Sequence, residues 1–180
     1  MIQRYLAILL LVGAGCLPAR SQSTSPVLSE WLDAARSGDT LGLQTLWLAN
    51  PALLHEKDGR GSDALILATY YGQLPAVEWL LRRGANPTSV DLSGNTALMG
   101  ALFRKQEEIA MTLVTRGADI NQPNFQEATA MHFAIVFASD KMVTWLLEKG
   151  GDASKADRFG TTVWQQAEIQ GRQHLFTSSQ

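Results

Sequence analysis

A chain of 180 residues with 46% hydrophobic and 18% charged side chains has enough apolar content for one domain with a continuous core, which excludes an intrinsically disordered protein. Its 15 basic and 17 acidic residues leave a net charge of −2, so no long-range field draws in the phosphates of nucleic acid. Cys16 is the single cysteine, which excludes a disulfide within the chain.

The amino terminus carries a targeting signal rather than part of a core. Arg4 supplies positive charge, Leu6 to Val12 form an apolar run, and the small residues Gly13, Ala14 and Gly15 follow. The run is too short for a membrane span and has no polar face at helical spacing, as expected of a secretory signal peptide. Two processing sites compete. Ala19-Arg20-Ser21 places small residues at the third and first positions before a cut, giving a signal peptide over 1–21 and a mature chain starting at Gln22. Val12-Gly13-Ala14-Gly15-Cys16 resembles a bacterial lipobox, with Gly13 where that motif usually has Leu; the signal is then 1–15 and Cys16 is the lipidation site. Residues 22–27 form a Ser/Thr-rich linker in either case.

Beyond the linker the chain repeats itself. Gly84-Ala85-Asn86 recurs as Gly117-Ala118-Asp119 and as Gly150-Gly151-Asp152, each time 33 residues on. Asp58, Asp91, Asn124 and Asp157 keep the same spacing and open four copies of one motif. Counting from them, the fourth position is Gly61, Gly94, Glu127 and Gly160, and the sixth is Asp63, Thr96, Thr129 and Thr162. Ala64-Leu65, Ala97-Leu98, Ala130-Met131 and Val163-Trp164 follow, with Ala68, Ala101, Ala134 and Ala167 at the eleventh. A fixed period of this length is the mark of a stacked-repeat protein, because one unit cannot bury its apolar face alone.

The residues suggest how each unit folds. Asp or Thr at the sixth position suits a helix N-cap, typically worth ~1 kcal/mol. Alanine at the eleventh lets neighbouring first helices approach closely, while Leu80, Leu113 and Leu146, with Val77, Ala110 and Val143, face the stack from second helices. Trp79 and Trp145 share one second-helix position, and Trp31 and Trp164 fall in the first helices of the outer units; all four are expected in the core. Gly84, Gly117 and Gly150 are expected as left-handed caps after the second helices.

These motifs resemble the ankyrin repeat, whose consensus runs Asp-x-x-Gly-x-Thr-Pro-Leu-His-x-Ala and ends in Gly-Ala-Asp-x-Asn. The resemblance covers Asp58 to Gly171 without a gap. It implies an all-α repeat solenoid, helix-turn-helix units joined by β-hairpin loops, with repeats at about 28–57, 58–90, 91–123, 124–156 and 157–176 in a domain spanning 28–176. Ala or Val replaces every motif proline, and only His132 keeps the motif histidine, where its ring is expected to bond within and between repeats. Lys105 and Ala138 stand where Gly72 and Gly171 mark the inter-helix turn, so the turn is expected to differ in the two middle repeats.

No residue pattern for catalysis or metal binding emerges: there is no nucleophile elbow, no phosphate loop and no metal-binding pair among His55, His132 and His174. Glu107-Glu108 reads as a solvated face. No cofactor, metal or nucleic acid is expected, and the chain is read as a non-enzyme and a monomer. The resemblance implies that binding uses the hairpin tips and the exposed side of the first helices. Carried over position by position, the partner-binding residues are Tyr70 and Tyr71, Phe103 and Arg104, and Phe137 on the helices, with Arg60, Leu92, Phe125, Arg158 and Phe159 at the tips. Aromatic and apolar side chains in line on a soluble face mark an interaction site. The packing alternative places Phe103 and Phe137 between first helices as core.

The expected function is therefore protein binding in the bacterial periplasm, free or lipid-anchored, as an auxiliary of an exported enzyme such as a catalase or as an immunity protein against a toxin. The alternative is a carrier of haem or lipid in the aromatic groove.

Overall fold

A computed structural model describes residues 25–176. The signal and Cys16 lie outside the described residues. Pairs of antiparallel helices follow one another: α1 (Pro26–Ser37) and α2 (Thr40–Ala49), α3 (Ala64–Tyr70) and α4 (Leu74–Arg82), α5 (Ala97–Phe103) and α6 (Glu107–Thr115), α7 (Ala130–Phe137) and α8 (Asp140–Glu148). The last first-helix, α9 (Val163–Ile169), is followed by a short 3-10 turn at Gln173–Phe176. A second 3-10 turn, Pro51–His55, links α2 to the next unit and buries Leu53 and Leu54. The result is an all-α repeat fold.

Hydrogen bonds inside each unit explain the recurring residues. Asp58 Oδ1 accepts the backbone N–H groups of Arg60 and Ser62 at 2.8 and 3.0 Å. Asp91, Asn124 and Asp157 do the same two and four residues on, so each tip is folded by the side chain that opens it. Single antiparallel bridges, Lys57 to Asp63, Val90 to Thr96 and Ala156 to Thr162, close three of the tips without extending into a ladder. Asp63, Thr96 and Thr162 then accept from Ile66, Met99 and Gln165 as N-caps. After the second helices, Gly84, Gly117 and Gly150 take φ of 92 to 94°. The N–H of the residue after each glycine bonds back to Leu80, Leu113 or Leu146.

Alanine decides how the units stack. Ala35, Ala68, Ala101, Ala134 and Ala167 are all fully buried, and the first helices pack closely on one another; the second helices touch each other less. Leu80, Leu113, Leu146, Val77, Ala110 and Val143 are fully buried between layers. Successive tips are also tied together, with Leu92 N donating to Arg60 O, Phe125 N to Ser93 O and Arg158 N to Gln126 O at 2.9 to 3.1 Å. A side chain at Gly61 would bring its Cβ within 2.8 Å of Leu92 N, so that glycine is needed for close approach as well as for its φ of 76°.

Several expectations change. Trp31 and Trp79 are buried and Trp145 half-buried, but Trp164 is 48% exposed. It occupies the register of the buried Leu65, Leu98 and Met131, and among the described residues the Phe176 ring packs on it, 4.4 Å between centroids. Glu107 is no free surface carboxylate, since it accepts the Ser139 N–H at 2.7 Å and the Ser139 hydroxyl at 3.0 Å across the inter-repeat boundary. The two middle turns differ from each other. Lys105 keeps the glycine conformation at φ 59°, and Gln106 N still bonds to Ala101 O. Ala138 abandons it for φ −86° and ψ 165°, and α7 runs one residue further than α5.

Candidate functional site

The first helices α3, α5 and α7 carry one aromatic row across three units. Tyr71 and Tyr70 meet edge to face at 5.7 Å between ring centroids, Tyr70 stacks on Phe103 at 6.4 Å with planes 16° apart, and Phe103 meets Phe137 edge to face at 5.0 Å. Repeat register alone would pair Phe103 with Val136. The longer α7 presents Phe137 instead, because Ala138 continues the helical hydrogen bond to Ala134 O. Arg104 lays its guanidinium over Tyr70 at 4.9 Å, a cation–π contact that holds the charge at the rim.

Exposure along the row is graded. Tyr71 is 52% exposed and Arg104 is exposed, while Tyr70, Phe103 and Phe137 are half-buried. Phe103 and Phe137 thus stand between the two readings of the sequence: each packs against the core and keeps part of its ring in solvent. The tips form a second row. Arg60, Leu92, Phe125, Arg158 and Phe159 are all exposed, Leu92 and Phe125 by 70% and 68%. Phe125 covers Gly94, and Arg158 Nη1 donates to Gln126 Oε1 at 2.8 Å.

Between helices and tips lies a small depression, partly open to solvent, that the sequence reading missed. Ile66, Tyr70, Met99, Phe103 and Phe133 give it apolar walls, and Asp91, Asn95, Thr96 and Gly100 complete it. The signal was present at the tenth position of the register, where Leu67 and Phe133 flank a glycine.

His132 is buried below this face. Its Nδ1 accepts the Thr129 N–H at 3.1 Å and its Nε2 lies 3.3 Å from Thr161 O in the next unit. A neutral ring with the proton on Nε2 satisfies both partners. Burial lowers its pKa below 6.5, against smaller opposing effects of the Thr161 carbonyl and Asp157. The sequence also missed Arg172. It reaches back to donate to Ile135 O at 2.8 Å and to Asp140 Oδ1 at 2.9 Å, joining the last unit to the C-terminus of α7 and the start of α8. Bonds from Arg172 and then His174 hold the Asp140 carboxyl below the usual carboxylate range. Among the described residues no group of three or more His, Cys, Asp or Glu could hold a metal ion, and no helix is long and apolar enough to cross a membrane.

The family model of ankyrin repeats matches three copies over residues 31–124, about half of the chain. The chain belongs to the ankyrin-repeat family. Such repeats generally mediate protein–protein interaction and are typically non-catalytic. The hydrogen-bonded unit of the matched region continues beyond it, through Asn124 and Asp157, to the end of α9.

Proposed function

We propose that this ankyrin stack binds a partner protein through the face formed by its first helices and hairpin tips, in the bacterial periplasm, as an auxiliary of an exported enzyme or as an immunity protein. One observation carries the reading: Tyr71, Tyr70, Phe103 and Phe137 form an unbroken, partly solvent-facing aromatic row across three units. Tyr, Phe and Arg are suited to interface anchoring because they bring large contact area with few rotatable bonds. Arg104 and the apolar tips Leu92, Phe125 and Phe159 extend the surface, while Glu148 lies on a second helix away from it. The export assignment rests on the apolar run before Cys16, and the free or lipid-anchored state on which processing site is used.

The test is photo-crosslinking in cells that export the protein. A photoreactive residue at Tyr71 should give a discrete protein adduct, and one at Glu148 none. Adducts from Glu148 alone would place the interface on the other side and end this reading. Intact mass of the mature chain decides processing: a lipid-modified start at Cys16, or a start at Gln22. Retention of Met1 would remove the periplasmic assignment.

A further inference from the structure

We infer that the depression at Gly100 is a socket for a basic side chain, lysine or arginine, of the bound partner, an inference that rests on the protein-binding role proposed above. Gly100 sits inside α5, where glycine costs about 1 kcal/mol relative to alanine. Packing does not require it. A Cβ built on Gly100 meets nothing within 4 Å, and its φ is not among the positive ones. The same register holds Leu67 in the preceding unit and Phe133 in the following one, and Phe133 lines the depression, so the glycine leaves open a space that a larger side chain would fill.

The chemistry of the lining selects the occupant. Ile66, Tyr70, Met99, Phe103 and Phe133 wall it and suit a long aliphatic stem, and the chain's own Arg104 guanidinium already lies over the Tyr70 ring at 4.9 Å. The charged group in the lining is Asp91. Its Oδ1 is engaged by the backbone of its own tip and its Oδ2 by the Asn95 amide at 3.3 Å, and no ion pair to it is found among the described residues. Asp58 by contrast meets Arg36 at 3.5 Å and Asn124 carries no charge, while Asp157 shares with Asp91 the lack of an ion pair among the described residues. An uncompensated carboxylate bordered by apolar walls favours a cation over a neutral or anionic side chain, since the walls reduce the screening that water provides elsewhere. A partner carboxylate would be repelled, and a partner phenylalanine would fill the walls while leaving Asp91 without a counterion.

Titration of the ¹⁵N-labelled full chain with three blocked tripeptides, Gly-Arg-Gly, Gly-Phe-Gly and Gly-Glu-Gly, followed by NMR, tests the assignment. The arginine peptide should shift the amides of Met99, Gly100 and Phe103 with saturation in the millimolar range, and the other two should bind at least threefold more weakly. Asp91→Asn should reduce arginine-peptide affinity at least threefold; it keeps the tip, because Asn124 folds the same turn one unit on. Gly100→Leu should abolish the shifts while its thermal midpoint stays at or above that of the parent, as Leu67 is accepted at this register. Phenylalanine binding as tight as arginine, an Asp91→Asn variant that binds arginine unchanged, or no shift from any peptide would each overturn the proposal. Loss of the Tyr71 crosslink in cells with normal arginine-peptide binding would instead count against the protein-binding role alone.

Discussion

The buried rows and the exposed face of the first helices share one 33-residue register but follow different rules. At the eleventh position every unit places alanine, fully buried, because any larger side chain would push neighbouring helices apart. At the tenth the chain runs through Leu67, Gly100, Phe133 and Gln166, and at the thirteenth through Tyr70, Phe103, Val136 and Ile169. Packing against a copy of itself repeats a residue; contact with something that is not a copy does not. The comparison teaches that in a stack of this kind the constant positions report on the fold and the variable positions on what meets it.

The strongest way to break that comparison is to damage a constant position. Leu113→Ala, at a fully buried site between layers, should lower unfolding free energy by ~2–5 kcal/mol in chemical denaturation, since the cavity left by the removed methyl groups adds to their lost burial. A variant as stable as the parent would mean that the layer register is wrong.

Variable positions should divide by burial. Tyr71→Ala should weaken partner binding by at least ~1 kcal/mol and leave the thermal midpoint nearly unchanged, because the ring is half exposed and sits at the end of its helix. Phe103→Ala and Phe137→Ala should weaken binding by a similar ~1 kcal/mol or more but also lower stability, since each supports the other's ring at 5.0 Å. Measured affinity and unfolding of the same variants separate the two effects. Normal binding by folded Phe103→Ala and Phe137→Ala would confine both residues to packing and move the interface to the tips.

Turn positions give a smaller effect of opposite sign. Lys105 and Glu127 hold left-handed backbone at φ 59° and 60°, where other units use glycine. Replacing each with glycine should raise stability by ~0.5–1 kcal/mol, the relief of the Cβ clash exceeding the added freedom of the unfolded chain. No gain on unfolding titration would show that their side chains make compensating contacts.

The last comparison is one of pH. His132 has a folded-state pKa below 6.5 because it is buried, so the unfolded chain binds its proton more readily. The stability it contributes is complete above pH 6.5 and declines as pH falls from there towards the folded value. Gln165 provides the uncharged control, for it occupies the same register and accepts the Thr162 N–H at 2.9 Å as His132 accepts that of Thr129. The thermal midpoint of the parent should therefore fall between pH 7 and 5 by more than that of His132→Gln; equal slopes would remove His132 from the pH response.

Much of this molecule is legible in its residues one unit at a time. The period, the alanine row, the leucine layers, the Asx-folded tips and the glycine caps all follow from contacts within about a dozen residues or from the demand that each unit fit its neighbour. The aromatic face was also legible as a set of positions, because the register assigns Tyr70, Tyr71, Phe103, Arg104 and Phe137 to the outer side of the first helices. The sequence by itself thus determined the repeat and its stacking, for those depend on local hydrogen bonding and on size.

What only the tertiary structure decided depends on breaks in that regularity. Ala138 prolongs α7, and the aromatic partner of Phe103 becomes Phe137 rather than Val136. A register that is core at Leu65, Leu98 and Met131 becomes, in the last described unit, the half-exposed Trp164 with Phe176 upon it. Arg172 and Glu107 act across about 32 residues of chain through single side chains, reaching Asp140 and Ser139. The space at Gly100 is walled by Ile66 and Tyr70 of the preceding unit and Phe133 of the following one. Repetition is a property of neighbours along the chain, whereas a cavity or a cross-repeat bond depends on which departures from repetition come to face one another in space.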